Sequence, residues 1–198
     1  LATRALIDES DESLMRLIKG GNHQAFSTLV RRHTQRFFAA GYSLSGNATQ
    51  AEDMVQEAFL KIWQKPDLWK EDKGAKFTTW FYRILVNMNI DAIRKNKRNA
   101  GDAALEYMTD PSQSPESETV MNDEQAQLEA AIASLPERQA TALNLCFYEG
   151  LSNAQAAEVM GVKVKALESL LMRAKAGLKD YMTTRQTRKM KGGLYGTG

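Results

Sequence analysis

Between Leu151 and Leu178 the chain reads LSNAQAAEVMGVKVKALESLLMRAKAGL, and this stretch constrains the fold more than any other. Ser152 and Gln155 have the spacing of a capping box, which opens a short helix ending near Met160. Gly161 follows, where a tight turn needs a positive φ that only glycine adopts without steric penalty. Leu167, Leu171, Ala174 and Leu178 then share one face of a second, longer helix. Ala156 and Ala157 are small enough for a crossing helix to approach closely. A short helix, a glycine turn and a longer helix with a basic outer side is the layout of a helix-turn-helix.

That layout has a physical use against duplex DNA. The second helix enters the major groove if its leading residues are exposed and the first helix braces it across the backbone. Lys163, Lys165, Glu168, Ser169, Met172 and Arg173 lie in this leading half. Lysines there suit phosphates or guanine edges, and a carboxylate such as Glu168 can accept from a cytosine amino group. Lys175 and Lys179 suit phosphate contacts. The competing reading is an ordinary helical hairpin with a solvated basic face.

The rest of the chain is also helical in pattern, and no strand-like alternation competes over a useful length. A helix is expected from Glu12 to Lys19, ending at Gly20-Gly21. Asn22 caps the next, in which Phe26, Leu29, Val30, Phe37 and Phe38 recur until the helix fades near Gly41 to Gly46. Ala51, Val55, Ala58, Phe59 and Ile62 make the apolar face of a third helix stopped by Pro66, leaving Glu52, Asp53, Gln56 and Glu57 on a polar side. After a polar connection holding Trp69, the stripe Phe77, Trp80, Phe81, Ile84, Leu85, Met88 and Ala92 defines a fourth, closed by Arg94, Lys95, Lys97 and Arg98. Aromatic and basic residues interleave here: Trp69, Phe77, Trp80, Phe81 and Tyr82 with Lys70, Lys73, Lys76 and Arg83. Rings exposed in such a block stack on unpaired bases, whereas rings on the stripe are core. Asn87, Asp91 and Arg94 form a polar line, for DNA or for cross-helix bonds.

Asn99 to Asn122 changes character, with Gly101, Pro111 and Pro115 among serines and acids, and reads as a flexible acidic linker. The second domain starts near Asp123. Leu128, Ala131, Ile132 and Leu135 mark one helix. Pro136 opens the next, carried by Ala140, Leu143, Leu145, Phe147 and Tyr148 to Gly150. Beyond Tyr181 the basic, glycine-rich tail is expected to fray. The fold class is therefore all-α: two small helical domains, 12–98 and 123–182, joined by the linker 99–122.

Net charge is only +2, but its distribution is uneven. Lys61 to Asn99 holds ten basic residues against four acidic, Val162 to Lys191 nine against two, and Asp102 to Glu124 seven acidic and none basic. Two basic blocks around an acidic spacer suit two contacts with a polyanion. The single cysteine, Cys146, excludes an internal disulfide framework and reads as a buried thiol, consistent with a cytoplasmic protein. No apolar run is long enough for a membrane span, so no membrane insertion is expected. His23 and His33 have no cysteine cluster or HExxH spacing near them, and no phosphate loop or nucleophile elbow occurs. No catalytic residue, metal site or cofactor is expected.

With these residues in view, the chain resembles the extracytoplasmic-function group of the sigma-70 family over roughly Glu12 to Met182. AEDMVQEAFLKIWQ (Ala51 to Gln64) is similar to the family's segment that docks on a coiled coil of the RNA polymerase largest subunit. FTTWFYRILVNMNIDAIRK (Phe77 to Lys95) resembles its −10 element helix, and LPERQ (Leu135 to Gln139) with Leu151 to Leu178 resembles its −35 reading domain. The resemblance implies an alternative sigma factor that recruits core RNA polymerase, holds both promoter elements and stabilises the melted strand. It assigns Asp53, Gln56, Glu57 and Phe59 to core docking. Lys76, Phe77, Trp80, Arg83, Asn87, Asp91 and Arg94 fall to −10 DNA, and Lys163, Lys165, Glu168, Ser169, Met172 and Arg173 to −35 DNA. It also implies an anti-sigma partner. Many family members carry basic residues where Glu168 and Leu170 stand, so this chain lacks two cations near DNA. Two rival readings are a helix-turn-helix regulator acting without polymerase and a degenerate sigma-like antagonist.

Overall fold

The computed structural model describes residues 6–70, 76–100, 128 and 130–192, and no strand occurs among them. Helix α1 spans Asp11–Lys19; the Ser10 hydroxyl accepts from the Ser13 N–H at 3.1 Å. Its acids, Asp11 and Glu12, lie in the first turn and its bases, Arg16 and Lys19, in the last, the favourable sense for the helix dipole. Helix α2 covers His23–Ser45, capped as expected by Asn22, whose Oδ1 accepts from the Ala25 N–H at 2.9 Å. It ends at Gly46, where φ is 67°, the far edge of the expected Gly41 to Gly46 range, and Gly41 itself lies inside the helix. Packing explains the difference. A Cβ on Gly41 would lie 3.3 Å from the Ala51 Cβ and 3.4 Å from its Cα, so this glycine is the seat of the next helix, not a break.

Helix α3 runs Ala48–Gln64, with the Asn47 Oδ1 accepting from the Gln50 N–H at 2.9 Å. A single 3₁₀ turn, Pro66–Leu68, follows. Trp69 is buried rather than lying in an open connection, with Lys19 Nζ 5.7 Å from its ring centroid. Helix α4 covers Phe77–Ala100, so Asn99 is helical and not the start of a linker; positions 101–122 of that expected linker, and Asp123, lie outside the described residues.

Phe37 is the centre of the first unit. It stacks on Phe81 with centroids 3.7 Å apart and planes within 3°, while Phe59, Phe77 and Tyr82 surround the pair. The buried face of α4 is wider than the expected stripe. Phe77, Phe81 and Leu85 are fully buried, Trp80, Ile84, Met88 and Ala92 only half-buried, and Tyr82, Val86 and Asn89 are buried too. The reason is that α4 packs against both α2 and α3. Asn89 Nδ2 donates to the Leu44 carbonyl at 3.1 Å, and its Oδ1 accepts from Gln50 Nε2 at 3.4 Å. At the other end, Asp11 bridges Arg32 (2.6 Å) and His33 (2.8 Å) on α2, and Arg32 also donates to the Ile7 carbonyl. Burial alone would raise the Asp11 carboxyl, but the hydrogen bonds and charges of His33 and Arg32 outweigh it and hold it below its usual range.

A second compact unit is built on α5 (Glu137–Leu143) and α7 (Val164–Gly192), with α6 (Asn153–Met160) between them in sequence. Leu135, Leu143 and Ala174 form its core, with Ile132, Ala140 and Leu178 packed against them. Pro136 caps α5 instead of standing inside it. The expected helix to Gly150 is interrupted: Asn144–Tyr148 is a π-helical turn, closed by the Glu149 N–H on the Asn144 carbonyl at 3.1 Å. The wider turn leaves Phe147 and Tyr148 more than half exposed instead of continuing the apolar face. The tail differs as well, because α7 stays helical past Tyr181 to Gly192.

Two outcomes follow from this packing. Gly41→Val should destabilise the first unit by about 1–3 kcal/mol, because its methyls meet the Ala51 backbone. Urea unfolding should show a lower midpoint with an unchanged slope, and parental stability would mean that α2 and α3 separate freely. The Asp11 contribution is present above the unfolded carboxyl's titration and is lost as pH falls through the lowered native value. From about pH 5 to about pH 2 the parent should therefore lose stability faster than Asp11→Asn. Parallel pH profiles would remove the ionised carboxylate from the account.

Candidate nucleic-acid and partner interfaces

Three exposed faces carry the residues singled out by the sequence. On α3, Ala51, Met54, Val55, Ala58, Phe59 and Ile62 are buried, which turns Glu52, Asp53, Gln56 and Glu57 outward. Glu57 is 2.8 Å from Lys61 Nζ one turn on, an exposed pair of small net energy. Asp53 makes no ion pair among the described residues. Phe59 corrects the expectation: at 5% exposure its ring lies against Phe81 (4.9 Å) and Phe37 (6.2 Å), so it supports this face from beneath. The apolar group that does reach the surface is Leu60, 51% exposed. Asp53, Gln56, Glu57 and Leu60 stand at i, i+3, i+4 and i+7, a helical spacing from which Leu60 was readable.

On α4 and just before it, Lys76, Arg83, Asn87, Asp91 and Arg94 are exposed, with half-buried Trp80 in the same line. Phe77 is a second correction. It is fully buried, packed near Phe81, Phe37 and His33, and so unable to stack on a base. It anchors the start of α4, while Trp80, 6.3 Å away, keeps part of its ring outside. Asp91 and Arg94 approach at 3.8 Å with both side chains more than 70% exposed, which leaves both groups available to a partner.

On α6 and α7 the capping box is formed as expected. The Ser152 N–H donates to Gln155 Oε1 at 3.0 Å, and the Gln155 N–H donates to Ser152 Oγ at 3.3 Å. Gly161 has φ 63°, and the Val162 N–H closes on the Ala157 carbonyl at 2.9 Å. Ala156, Ala157, Val159, Leu167 and Ala174 are buried. That burial turns Lys163, Lys165, Glu168, Met172 and Arg173 to the surface, Met172 at 67% exposure. Ser169 is half-buried and its hydroxyl donates to the Lys165 carbonyl at 3.0 Å, so only its lone pairs face outward. Lys175 lies 5.2 Å over the Phe147 ring, a cation–π contact that the expected phosphate role did not foresee.

Elsewhere the chemistry is structural. His33 is held by Asp11, and His23 lies 4.5 Å from the Trp63 ring. Cys146 is half-buried, with Sγ 3.8 Å from Asn153 Oδ1, and burial pushes its thiol pKa up. The described residues include no group of three metal-ligating side chains and no helix long and apolar enough to cross a membrane.

Comparison with known proteins agrees with this arrangement. Residues 29–99 match the family described as Sigma-70 region 2, and residues 125–178 match Sigma-70, region 4. The ECF RNA polymerase sigma factor SigE of Mycolicibacterium smegmatis is 33% identical over 161 residues, covering 80% of this chain and 62% of that protein. RNA polymerase sigma factor SigV of Bacillus subtilis is 30% identical over 149 residues, covering 74% of this chain and 84% of SigV. Among solved structures, the sigma factor RpoE of Bartonella quintana, crystallised with the anti-sigma factor NepR, is 25% identical. It superposes with a TM-score of 0.67, covering 80% of this chain and 96% of RpoE. These homologues are sigma factors, which are not enzymes. The chain belongs to the sigma-70 family, in its extracytoplasmic-function group of transcription initiation factors.

Proposed function

We propose that this protein divides the work of an alternative sigma factor among its three exposed faces. Asp53, Gln56 and Glu57, with Leu60 beside them, dock on core RNA polymerase, and Phe59 sets their position from below. Lys76, Trp80, Arg83, Asn87, Asp91 and Arg94 meet the −10 element, Phe77 acting as the buried anchor of that helix. Lys163, Lys165, Glu168, Ser169, Met172 and Arg173 meet the −35 duplex. Residues 12–100 and 123–182 are the two working domains, with 101–122 as the tether between them. The observation that carries this reading is the exposed, basic leading half of α7 behind a formed capping box and the Gly161 turn.

The protein performs no bond chemistry of its own and works in the cytoplasm, where its polymerase and promoter partners are. Phosphate contacts supply most of the duplex affinity and its salt dependence, and base-edge contacts supply register. At the melted −10 strand, ring stacking and polar contacts on bases, each on the order of 1–3 kcal/mol, offset part of the lost pairing. An anti-sigma protein that covers the α3 and α7 faces would block both partners together; RpoE, a similar fold, was crystallised in complex with the anti-sigma factor NepR.

Reconstitution tests the reading directly. Purified chain plus core polymerase should yield specific start sites from a promoter library. Absence of any transcript, together with no core binding, would overturn it. Asp53→Lys with Glu57→Lys should weaken core association about ten-fold or more while leaving helical circular dichroism unchanged. Unaltered core affinity would refute the docking assignment. Lys163→Ala with Lys165→Ala should lower duplex affinity and reduce the logarithmic salt slope by about 1 for each of the two that contacts a phosphate. A parental slope would show that neither lysine touches phosphate.

A further inference from the structure

Glu168 is an anomaly on a surface otherwise suited to a polyanion. From Val162 to Lys191 it is one of two acidic residues against nine basic ones, and it alone stands in the first two turns of α7. It is exposed, and its carboxylate makes no ion pair among the described residues. Its neighbours one turn away are Val164, Leu171 and Met172, with Lys165 the single cation at that spacing. Lys165, Glu168, Ser169 and Met172 fall at i, i+3, i+4 and i+7, opposite buried Leu167 and Ala174, so they share the outward face. A carboxylate brought to duplex DNA is repelled by phosphates unless a hydrogen-bond donor faces it.

We propose that Glu168 is a specificity-determining residue that selects cytosine in the duplex read by α7, with Lys165 placed for the guanine of the same or the adjacent pair. This inference rests on the reading of α7 as the major-groove helix. The edge chemistry of the bases makes the choice. Guanine presents only acceptors, N7 and O6, and thymine presents O4 and a methyl, so both refuse a carboxylate. Adenine offers N6–H, but its N7 lone pair sits beside that donor and repels the second carboxylate oxygen. Cytosine offers N4–H without an adjacent acceptor on its own ring. Across the pair, guanine O6 and N7 suit an ammonium. Glu168 and Lys165 are about 4.5 Å apart along the helix axis. One base-pair step is about 3.4 Å, so the two charges fit one pair or two neighbours. The device adds discrimination without raising overall affinity, because every non-cytosine base leaves the carboxylate facing acceptors.

The test is selection from a duplex library randomised across the −35 region, using holoenzyme reconstituted with the full chain as parent, Glu168→Gln or Glu168→Ala. The site is exposed and glutamine is isosteric, so folding is preserved. The parent should enrich cytosine at one position by roughly ten-fold over other bases. Glu168→Gln should move that position to adenine, which an amide meets through N6 and N7, and Glu168→Ala should lose preference there while binding the sequences without cytosine at that position more tightly at low salt. Identical base preferences in all three proteins would overturn the proposal and leave α7 as the duplex-reading helix. A Lys163→Ala, Lys165→Ala holoenzyme with parental −35 affinity and salt slope would overturn that underlying reading as well.

Discussion

The stacked pair Phe37–Phe81 is the contact on which the first unit depends. Phe37 comes from α2 and Phe81 from α4, and Phe59 of α3 leans on both. Three helices therefore meet at three rings, each buried to within about 5%. Burying a large aromatic is among the strongest single contributions a core offers, and paired rings add further orientation-dependent attraction. Because the rings fix the inner side of each helix, they also fix what is left outside. The acid-rich face of α3 and the Lys76-to-Arg94 line of α4 are outer consequences of one inner cluster.

Apolar packing resists sliding along a helix axis only weakly, and two polar devices supply that resistance. Asn89 is buried between the Leu44 carbonyl and Gln50, which ties the middle of α4 to the junction of α2 and α3. A buried amide must be satisfied, so a shift of one turn would leave it unpaired at a cost of about 1–3 kcal/mol. Asp11 does the equivalent for α1 through Arg32 and His33. Asn87, two residues from Asn89, inherits its angular position from that tie.

Much of this was legible in the sequence, for reasons that can be named. Caps are local chemistry, so Asn22, Ser152 and Gly161 could be read without any tertiary knowledge. Ordered motifs carried the family, because each requires its own partner surface at its own spacing. What failed to show was whatever depends on a second helix. Phe59 and Phe77 sit on faces that helical spacing marks as core and in motifs that mark them as contact residues, and only the packing decides between the two: their rings are occupied by the core. Gly41 looked like a stop and is a crossing point. The π turn at Asn144–Tyr148 has no local signature, and within it Phe147 lies exposed beneath Lys175. Leu60 was readable from spacing, but its exposure was not.

The crossing at Gly41 has a kinetic meaning. Where the backbones of α2 and α3 touch, little slack remains for α3 to tilt or rotate, and the pattern of Asp53, Gln56, Glu57 and Leu60 exists before any partner arrives. A surface built in advance loses little conformational freedom on capture, and its ordering has already been completed during folding. For the docking role proposed above, the speed of capture is then governed by how charge guides the approach of the partner, not by reshaping of the helix after contact. A glycine that looks like a weak point in a long helix thereby removes one conformational step from the docking proposed for this face.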